Sequence, residues 1–290
     1  MRGARFEPGS TAAQVAGPGL AGGLVQLVGP AGAIAVDAVS YLLSALGVAA
    51  ARRPEPPPAP SEAGVGILAG LRQLAGNPVL RALTGHAATY NAAAQILTVN
   101  LVVYAVADRG LTPGAFGLAL SAAGVGAFAG TMLAPRLAAR LGYGRAFAAA
   151  LGLSCGTPLL IALLPGTGNT LAVGLAAVQL TSGTGLGVAN VLSVTLRQVV
   201  APAGALTRTN AGYRLFIYGT LPLGSAAGGV LGSAFGSRAG VAVGTAGLVV
   251  SALPMLARRV RSIIRPEDAA VPEPTAPAQS ESGLAEAGSR

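Results

Sequence analysis

Positive charge recurs in every second gap between long apolar segments, and this alternation constrains the fold more than any other feature. The chain has 19 arginines and no lysine. Eight apolar segments reach or approach the roughly 20 residues that a helix needs to cross a membrane. They are residues 12–28, 31–51, 82–107, 115–134, 146–164, 170–196, 215–235 and 239–257. Only Arg109 and Arg238 lie in the opposite set of gaps. Because positive loops stay in the cytoplasm, the pattern predicts an even number of spans with both termini cytoplasmic.

The composition agrees with a surface that faces lipid. Charged residues are 10% of the chain and hydrophobic residues 52%, whereas soluble domains are about 25% charged. In a soluble protein the net charge of +9 would suggest nucleic acid, but here the arginines sit at helix ends and not on one continuous face. We therefore expect the lipid bilayer as partner, with arginines contacting anionic headgroups, and no nucleic acid.

The residue inventory argues against enzymatic chemistry. Without lysine there is neither a phosphate-binding G-x-x-x-x-G-K-[ST] loop nor a Schiff-base amine. A single Cys155 and a single His86 build neither a disulfide nor a zinc site. We expect no enzyme activity, no metal site and no cofactor, and we interpret Cys155 as a small packing residue.

Two segments differ from the apolar runs. Residues 52–63 are rich in proline, and residues 65–74 follow as a short amphipathic helix. From residue 266 the tail is rich in Pro, Ala, Ser and Glu, with almost no large apolar residue. That composition predicts a disordered tail.

The first two apolar segments resemble the last two. Residues 22–25 correspond to 228–231, and after one residue of slippage Ala35 and Val36 correspond to Ala242 and Val243. Each copy then reaches a pair of adjacent arginines. A period of six spans in one orientation is typical of the two parallel halves of a transporter. Chance similarity is the alternative, because Gly, Ala, Val and Leu are so frequent in this chain.

Several motifs resemble the major facilitator superfamily, in particular its drug-efflux branch of macrolide and enterobactin exporters. The segment QVAGPGLAGG, with Gly17, Pro18, Gly22 and Gly23, is similar to the Gly-Pro motif of the fifth helix that is associated with antiporters, one residue longer than usual. The segment GTMLAPRLAARLG, with Gly130, Arg136 and Arg140, resembles the glycine and arginine loop motif between helices eight and nine. Further similarity lies in VDAVSYLLSA (36–45), GNPVLRAL (76–83) and the loop that ends in TNAGYR (209–214).

The resemblance implies an all-α integral membrane protein whose eight spans match helices 5 to 12 of such a transporter. Residues 1–51 would be the last two helices of the N-terminal bundle, 52–78 a cytoplasmic linker with the amphipathic helix, 79–259 the six-helix C-terminal bundle and 260–290 the cytoplasmic tail. Four spans would then be missing from the front. The motif glycines would pack or kink helices, and Arg136 and Arg140 would either stabilise one gate state or act only as topology signals.

Polar residues within the spans are the candidate sites. Asp37 and His86 are candidates for proton coupling, and each has a structural alternative. Asp108 is interpreted as a boundary residue. The cavity-lining candidates could equally be groups that join neighbouring helices; they are Tyr90, Asn91, Gln95, Asn100, Gln179 and Asn190.

The resemblance implies proton-driven efflux of a small amphiphilic compound, such as a drug or siderophore, by alternating access in a bacterial plasma membrane. Small substrate and protons are then the expected partners beside lipid. The alternative is a truncated, non-transporting remnant or a membrane scaffold, because two helices cannot by themselves replace a first half.

Overall fold

The described part of the chain is helical throughout. The computed structural model describes residues 7–50, 67–200 and 206–256, and within these ranges it contains helices and short loops but no strand. The helices are α1 (Glu7–Ala50), α2 (Ile67–Gly76), α3 (Pro78–Val102), α4 (Pro113–Leu141), α5 (Tyr143–Leu151), α6 (Gly168–Val200), α7 (Leu206–Phe235) and α8 (Ser237–Ala252).

Three of these helices continue into π-helical or 3₁₀-helical segments. A π-helical segment, Val103–Asp108, extends α3, and a second one, Gly152–Gly156, extends α5 and leads into the 3₁₀-helix Thr157–Leu163. A short 3₁₀ turn, Leu253–Leu256, follows α8. With these extensions α3 and α5 are each long enough to cross a bilayer.

Seven of the described helices are long and apolar enough to cross a membrane. They are Leu24–Ala50, Pro78–Asp108, Pro113–Leu141, Tyr143–Leu163, Gly168–Val200, Thr209–Phe235 and Ser237–Met255. The prediction of an all-α membrane protein is therefore confirmed. The first two of the eight predicted spans both fall in α1, and the side chains of residues 7–19 lie outside the described part of the structure.

Three glycines join consecutive helical segments almost without a loop. Gly29, Gly142 and Gly236 have φ values of 75°, 79° and 84° with ψ values of 171°, 155° and 160°. L-residues with a side chain rarely adopt this conformation, so glycine is required for a direct turn from one helix into the next. Gly29 breaks α1 within its length.

Two helices begin at caps that the sequence encodes. The Asn77 side chain accepts hydrogen bonds from the backbone N–H groups of Val79 (2.9 Å) and Leu80 (3.3 Å). Thr112 accepts one from the N–H of Ala115 at 3.3 Å. In both cases proline follows the cap as the first residue of the helix, where its missing N–H costs nothing.

Glycines four residues apart bring α4 and α6 into backbone contact. A Cβ atom added to any of the four would lie well under 3.0 Å from a carbonyl oxygen of the opposite helix, closer than real Cβ atoms approach. The glycines and the residues whose oxygens they face are Gly126 with Leu180, Gly130 with Thr184, Gly183 with Ala123 and Gly187 with Ala127. Small residues at this spacing are the usual interface of membrane helices.

Helix α3 is held in the same way by two neighbours. Its face from Ala92 to Asn100 lies against glycines of α7 and α8, namely Gly224, Gly228, Gly232, Gly240 and Gly244. Asn100 is 2% exposed. Its side-chain amide donates to the carbonyl of Gly228 on α7 and to that of Ile96, both at 2.9 Å. Asn100 therefore joins α3 to α7 at a point where only glycines leave room for it.

The outward faces of the helices carry large apolar side chains. Residues 30–50 of α1 show this most clearly, with Ile34, Leu42, Leu46 and Val48 all exposed. Exposure of such an apolar surface would be unfavourable in water, whereas contact with lipid hydrocarbon is favourable. The inside is packed mainly by small residues, since lipid provides no hydrophobic force to press helices together.

Replacing the interface glycines by alanine should destabilise the protein. We expect Gly130→Ala or Gly183→Ala to cost about 1 to 3 kcal/mol, because a methyl group cannot fit against the opposite backbone. Gly85→Ala and Gly219→Ala are the matched controls: they have no atom within 4 Å of the added Cβ and should hold or raise stability. Apparent melting temperatures of the purified variants in one detergent would compare them. Equal melting temperatures for all four would contradict the close packing.

Candidate substrate cleft

A cavity of about 290 Å³ opens between α3, α5, α6 and α7. Its wall mixes polar and apolar side chains: His86, Ala87, Tyr90, Asn91, Phe147, Leu151, Ser154, Leu186, Ala189, Asn190, Ser193, Tyr213 and Ile217. An apolar lining with a few convergent polar groups is typical of sites for small molecules. Four predicted candidates, His86, Tyr90, Asn91 and Asn190, are brought together here.

A second cavity of about 440 Å³ adjoins the first. It is lined by Asn190, Ser193, Val194, Arg197, Asn210, Tyr213, Arg214, Ile217 and Tyr218. The two share Asn190, Ser193, Tyr213 and Ile217, so together they form one cleft between α6 and α7. We call the first the inner chamber and the second the arginine mouth.

His86 reaches from α3 to the end of α8. Its Nδ1 lies 2.7 Å from the backbone carbonyl oxygen of Ser251. Because a carbonyl oxygen only accepts, Nδ1 carries the proton, and Nε2 is the nitrogen that can gain or lose one. The imidazole also lies tilted against Tyr90, with 5.8 Å between ring centroids. His86 thus combines a structural contact with a titratable nitrogen at the cavity wall.

Hydroxyl groups from three helical segments meet beside the inner chamber. Tyr90 Oη lies 3.5 Å from Ser154 Oγ, and Ser182 Oγ donates to the Ser154 carbonyl at 2.9 Å. The α-helical donor for this carbonyl would be the N–H of residue 158, but Pro158 has none. Residues 152–156 are π-helical, a winding that is frequent at functional sites. Cys155, next along the chain, is buried, with its Sγ 3.9 Å from Ser251 Oγ.

Both arginines of the mouth lie close to tyrosine rings. The Arg197 guanidinium carbon lies 3.8 Å from the centroid of the Tyr213 ring, and that of Arg214 lies 5.8 Å from the Tyr218 centroid. Contacts of this kind contribute about 0.5 to 2 kcal/mol. The Nε of Arg197 is buried and has no hydrogen-bond partner among the described residues. Sequence reasoning missed these residues as a site, because it read the arginines as topology signals.

Three other polar candidates line neither cavity. Asn100 is buried between α3, α7 and α8 as described above. Gln95 and Gln179 are half-buried on α3 and α6. Asn91, which does line the inner chamber, donates to the carbonyl of Ala87 at 2.7 Å.

The remaining candidates lie away from the cleft. Asp37 is exposed on residues 30–50 of α1. Arg136 and Arg140 are exposed near the end of α4, whereas Gly130 on the same helix is buried against α6. The predicted glycine and proline motif lies within α1, but its side-chain surroundings are outside the described part of the structure; its residues are Gly17, Pro18, Gly22 and Gly23.

The C-terminal end of α3 lies opposite the arginine mouth and is hydrogen-bonded to neighbouring segments. The Asp108 carboxylate accepts a hydrogen bond from the hydroxyl of Ser237 at the start of α8. Arg109 donates to the carbonyls of Leu164, at 3.0 Å, and Gly166, and to the Tyr104 hydroxyl. Asp108, which is interpreted as a boundary residue, joins α3 to α8, and its neighbour Arg109 joins α3 to the loop that precedes α6.

Comparison with known proteins gives one family. The sequence model described as Major Facilitator Superfamily matches residues 4–221. No curated protein and no solved structure matches the chain.

Thiol accessibility tests whether the cleft is open to water. In a Cys155→Ser background, Asn190→Cys should react with a charged thiol reagent, because residue 190 is exposed and lines both cavities. Asn100→Cys should resist it, being buried. Leu223→Cys, on the outward face of α7, should react only with a reagent that enters lipid. Equal labelling of residues 190 and 223 by the charged reagent would contradict a water-filled cleft.

Proposed function

The chain belongs to the Major Facilitator Superfamily, a family of membrane transporters, and we propose that it exports a small amphiphilic compound by alternating access. The observation that carries this proposal is the cleft between α3, α5, α6 and α7. Its inner chamber offers apolar walls beside Tyr90, Asn91 and Asn190, a lining suited to a molecule with both apolar and polar parts.

In this proposal the two parts of α1 correspond to helices five and six of the superfamily, and α3 to α8 correspond to helices seven to twelve. Residues 79–259 then form the C-terminal bundle, and the helices of residues 1–51 belong to the N-terminal one. The contact between α1 and α4, where the Gln26 side chain lies against Gly114, joins the two groups. Movement at this contact would rock one group against the other.

The alternating arginines support an orientation with both termini in the cytoplasm of a bacterial plasma membrane. Arg197 and Arg214 flank the connection between α6 and α7, which the same rule assigns to the cytoplasm. The arginine mouth would therefore open to the cytoplasm, from which an exporter takes its substrate.

Of the two candidates for proton coupling, His86 and Asp37, His86 is the better placed. It lines the inner chamber, and its Nε2 is free to titrate while Nδ1 stays bonded to Ser251. Asp37 lies on the exposed part of α1, away from either cavity. A proton on His86 would place positive charge at the chamber wall and so change the affinity for substrate, which is the coupling an exporter needs.

Transport by the purified full-length chain in proteoliposomes tests the proposal. With an imposed pH gradient we expect movement of at least one of three amphiphilic dyes, a rhodamine ester, Nile red or anilinonaphthalene sulfonate, that stops when an uncoupler collapses the gradient. His86→Gln should reduce gradient-driven movement about tenfold or more, while Asp37→Asn should leave most of it.

Empty liposomes and liposomes given the uncoupler from the start are the blanks. If no dye moves in response to the gradient in any preparation of folded protein, the exporter proposal is wrong, and a membrane scaffold would be the remaining function. An equal loss from Asp37→Asn and none from His86→Gln would assign coupling to α1 instead.

A further inference from the structure

Two of the arginines line the same cavity. Arg197 and Arg214 both lie at the arginine mouth, each near a tyrosine ring. Arg109 also lies over a ring, that of Tyr104, but it lines neither cavity. Arg136 and Arg140, by contrast, are exposed at a helix end. Topology requires only that a positive charge lie on the correct side of the membrane. It does not require two guanidinium groups to converge on the same cavity, so this arrangement needs another explanation.

The cleft carries one sign of charge. Neither the inner chamber nor the arginine mouth has an aspartate or glutamate among its lining residues. Two positive groups in a concave site with low-dielectric walls focus a positive potential into the cavity, which attracts anions and repels cations. A cationic ligand would therefore be disfavoured at the mouth whatever the fit of its apolar part.

Arg197 keeps donors at the mouth. Its guanidinium carbon lies over the Tyr213 ring, and a cation–π contact does not use the guanidinium N–H groups as hydrogen-bond donors. Its Nε is buried without a partner among the described residues, and an unsatisfied buried donor is costly. An acidic oxygen in the mouth would accept charge-assisted hydrogen bonds from guanidinium N–H groups that line the cavity.

We propose that this cleft binds amphiphilic anions, with a carboxylate, phosphate or sulfonate group held by Arg197 and Arg214 and the apolar body in the inner chamber. Phe147, Leu151 and Ile217 form apolar wall there. The inference rests on the proposed transport function for its physiological meaning, and it names the charge class of the substrate. The same chemistry would suit the headgroup of an anionic lipid, so a test must separate the two sources.

Equilibrium dialysis of the full-length protein in phosphatidylcholine nanodiscs, with empty nanodiscs as blank, tests this. Naphthalene sulfonate, naphthalenemethanol and naphthalenemethylamine share one apolar body and differ in charge. We expect saturable binding of the sulfonate at least tenfold tighter than of the amine. Arg197→Gln and Arg214→Gln should each weaken sulfonate binding about tenfold, whereas Arg140→Gln, which removes an exposed arginine outside the cleft, should not change it.

Nanodiscs that also contain phosphatidylglycerol distinguish the sources. Sulfonate binding that falls as this lipid is added would identify lipid headgroups as occupants of the site, and unchanged binding would identify a soluble anion. Equal affinity for sulfonate and amine, or no effect of either cleft substitution in protein that keeps its wild-type melting temperature, would overturn the proposal.

The outcome is separable from that of the transport experiment. Gradient-driven movement of dyes without preference for the anion would leave the exporter standing and remove the anion site. Arginine-dependent binding of the sulfonate without movement of any dye would support the anion site and contradict the exporter proposal.

Discussion

Direct contact between helix backbones is the constraint on which this structure depends. In lipid, apolar side chains gain little by leaving their surroundings, so helices associate through close packing and a few hydrogen bonds. The chain meets this condition with glycine at 43 of 290 positions. Those of α4 and α6 face each other's carbonyl oxygens, and those of α7 and α8 enclose α3. These contacts fix α6 against α4, and α3 against α7 and α8, and so they help to position three of the helices that line the cleft.

The helices could be predicted from the sequence because each depends on a local property. A run of about 20 apolar residues is enough to identify a span, and Asn77 followed by Pro78 or Thr112 followed by Pro113 is enough to begin one. The repeat between the first two spans and the last two stays a prediction. The π-helical ends of α3 and α5 were not predicted, although Pro158, which lacks a backbone donor, lies just after the second of them.

The cleft could be predicted only in part. Spans that are apolar on every side have no periodicity that identifies the inward face. Polar residues are therefore the only indication of that face in the sequence. A polar residue within a span can either line a cavity or bond to a neighbouring helix. Asn190 lies on the cavity wall, while Asn100 donates to a carbonyl of α7. Nothing in the local sequence separates these cases, since the difference is whether a glycine of a neighbouring helix faces the side chain. Arg197 was read through the topology rule, which accounts for its charge but not for its place over Tyr213.

The same reasoning connects the packing with the proposed chemistry. Glycine contacts hold α4 against α6 with backbone packing, and polar side chains such as Asn100 add hydrogen bonds between other helices. Near Asn190 and Tyr213, α6 and α7 separate enough for a cavity. Arg197 and Arg214 line the arginine mouth, and His86 lines the inner chamber. If the acidic group of an amphiphilic anion entered the inner chamber, it would lose its contact with Arg197 and Arg214. If the apolar end enters first, the acidic group can stay at the arginine mouth while the apolar part contacts the walls of the inner chamber.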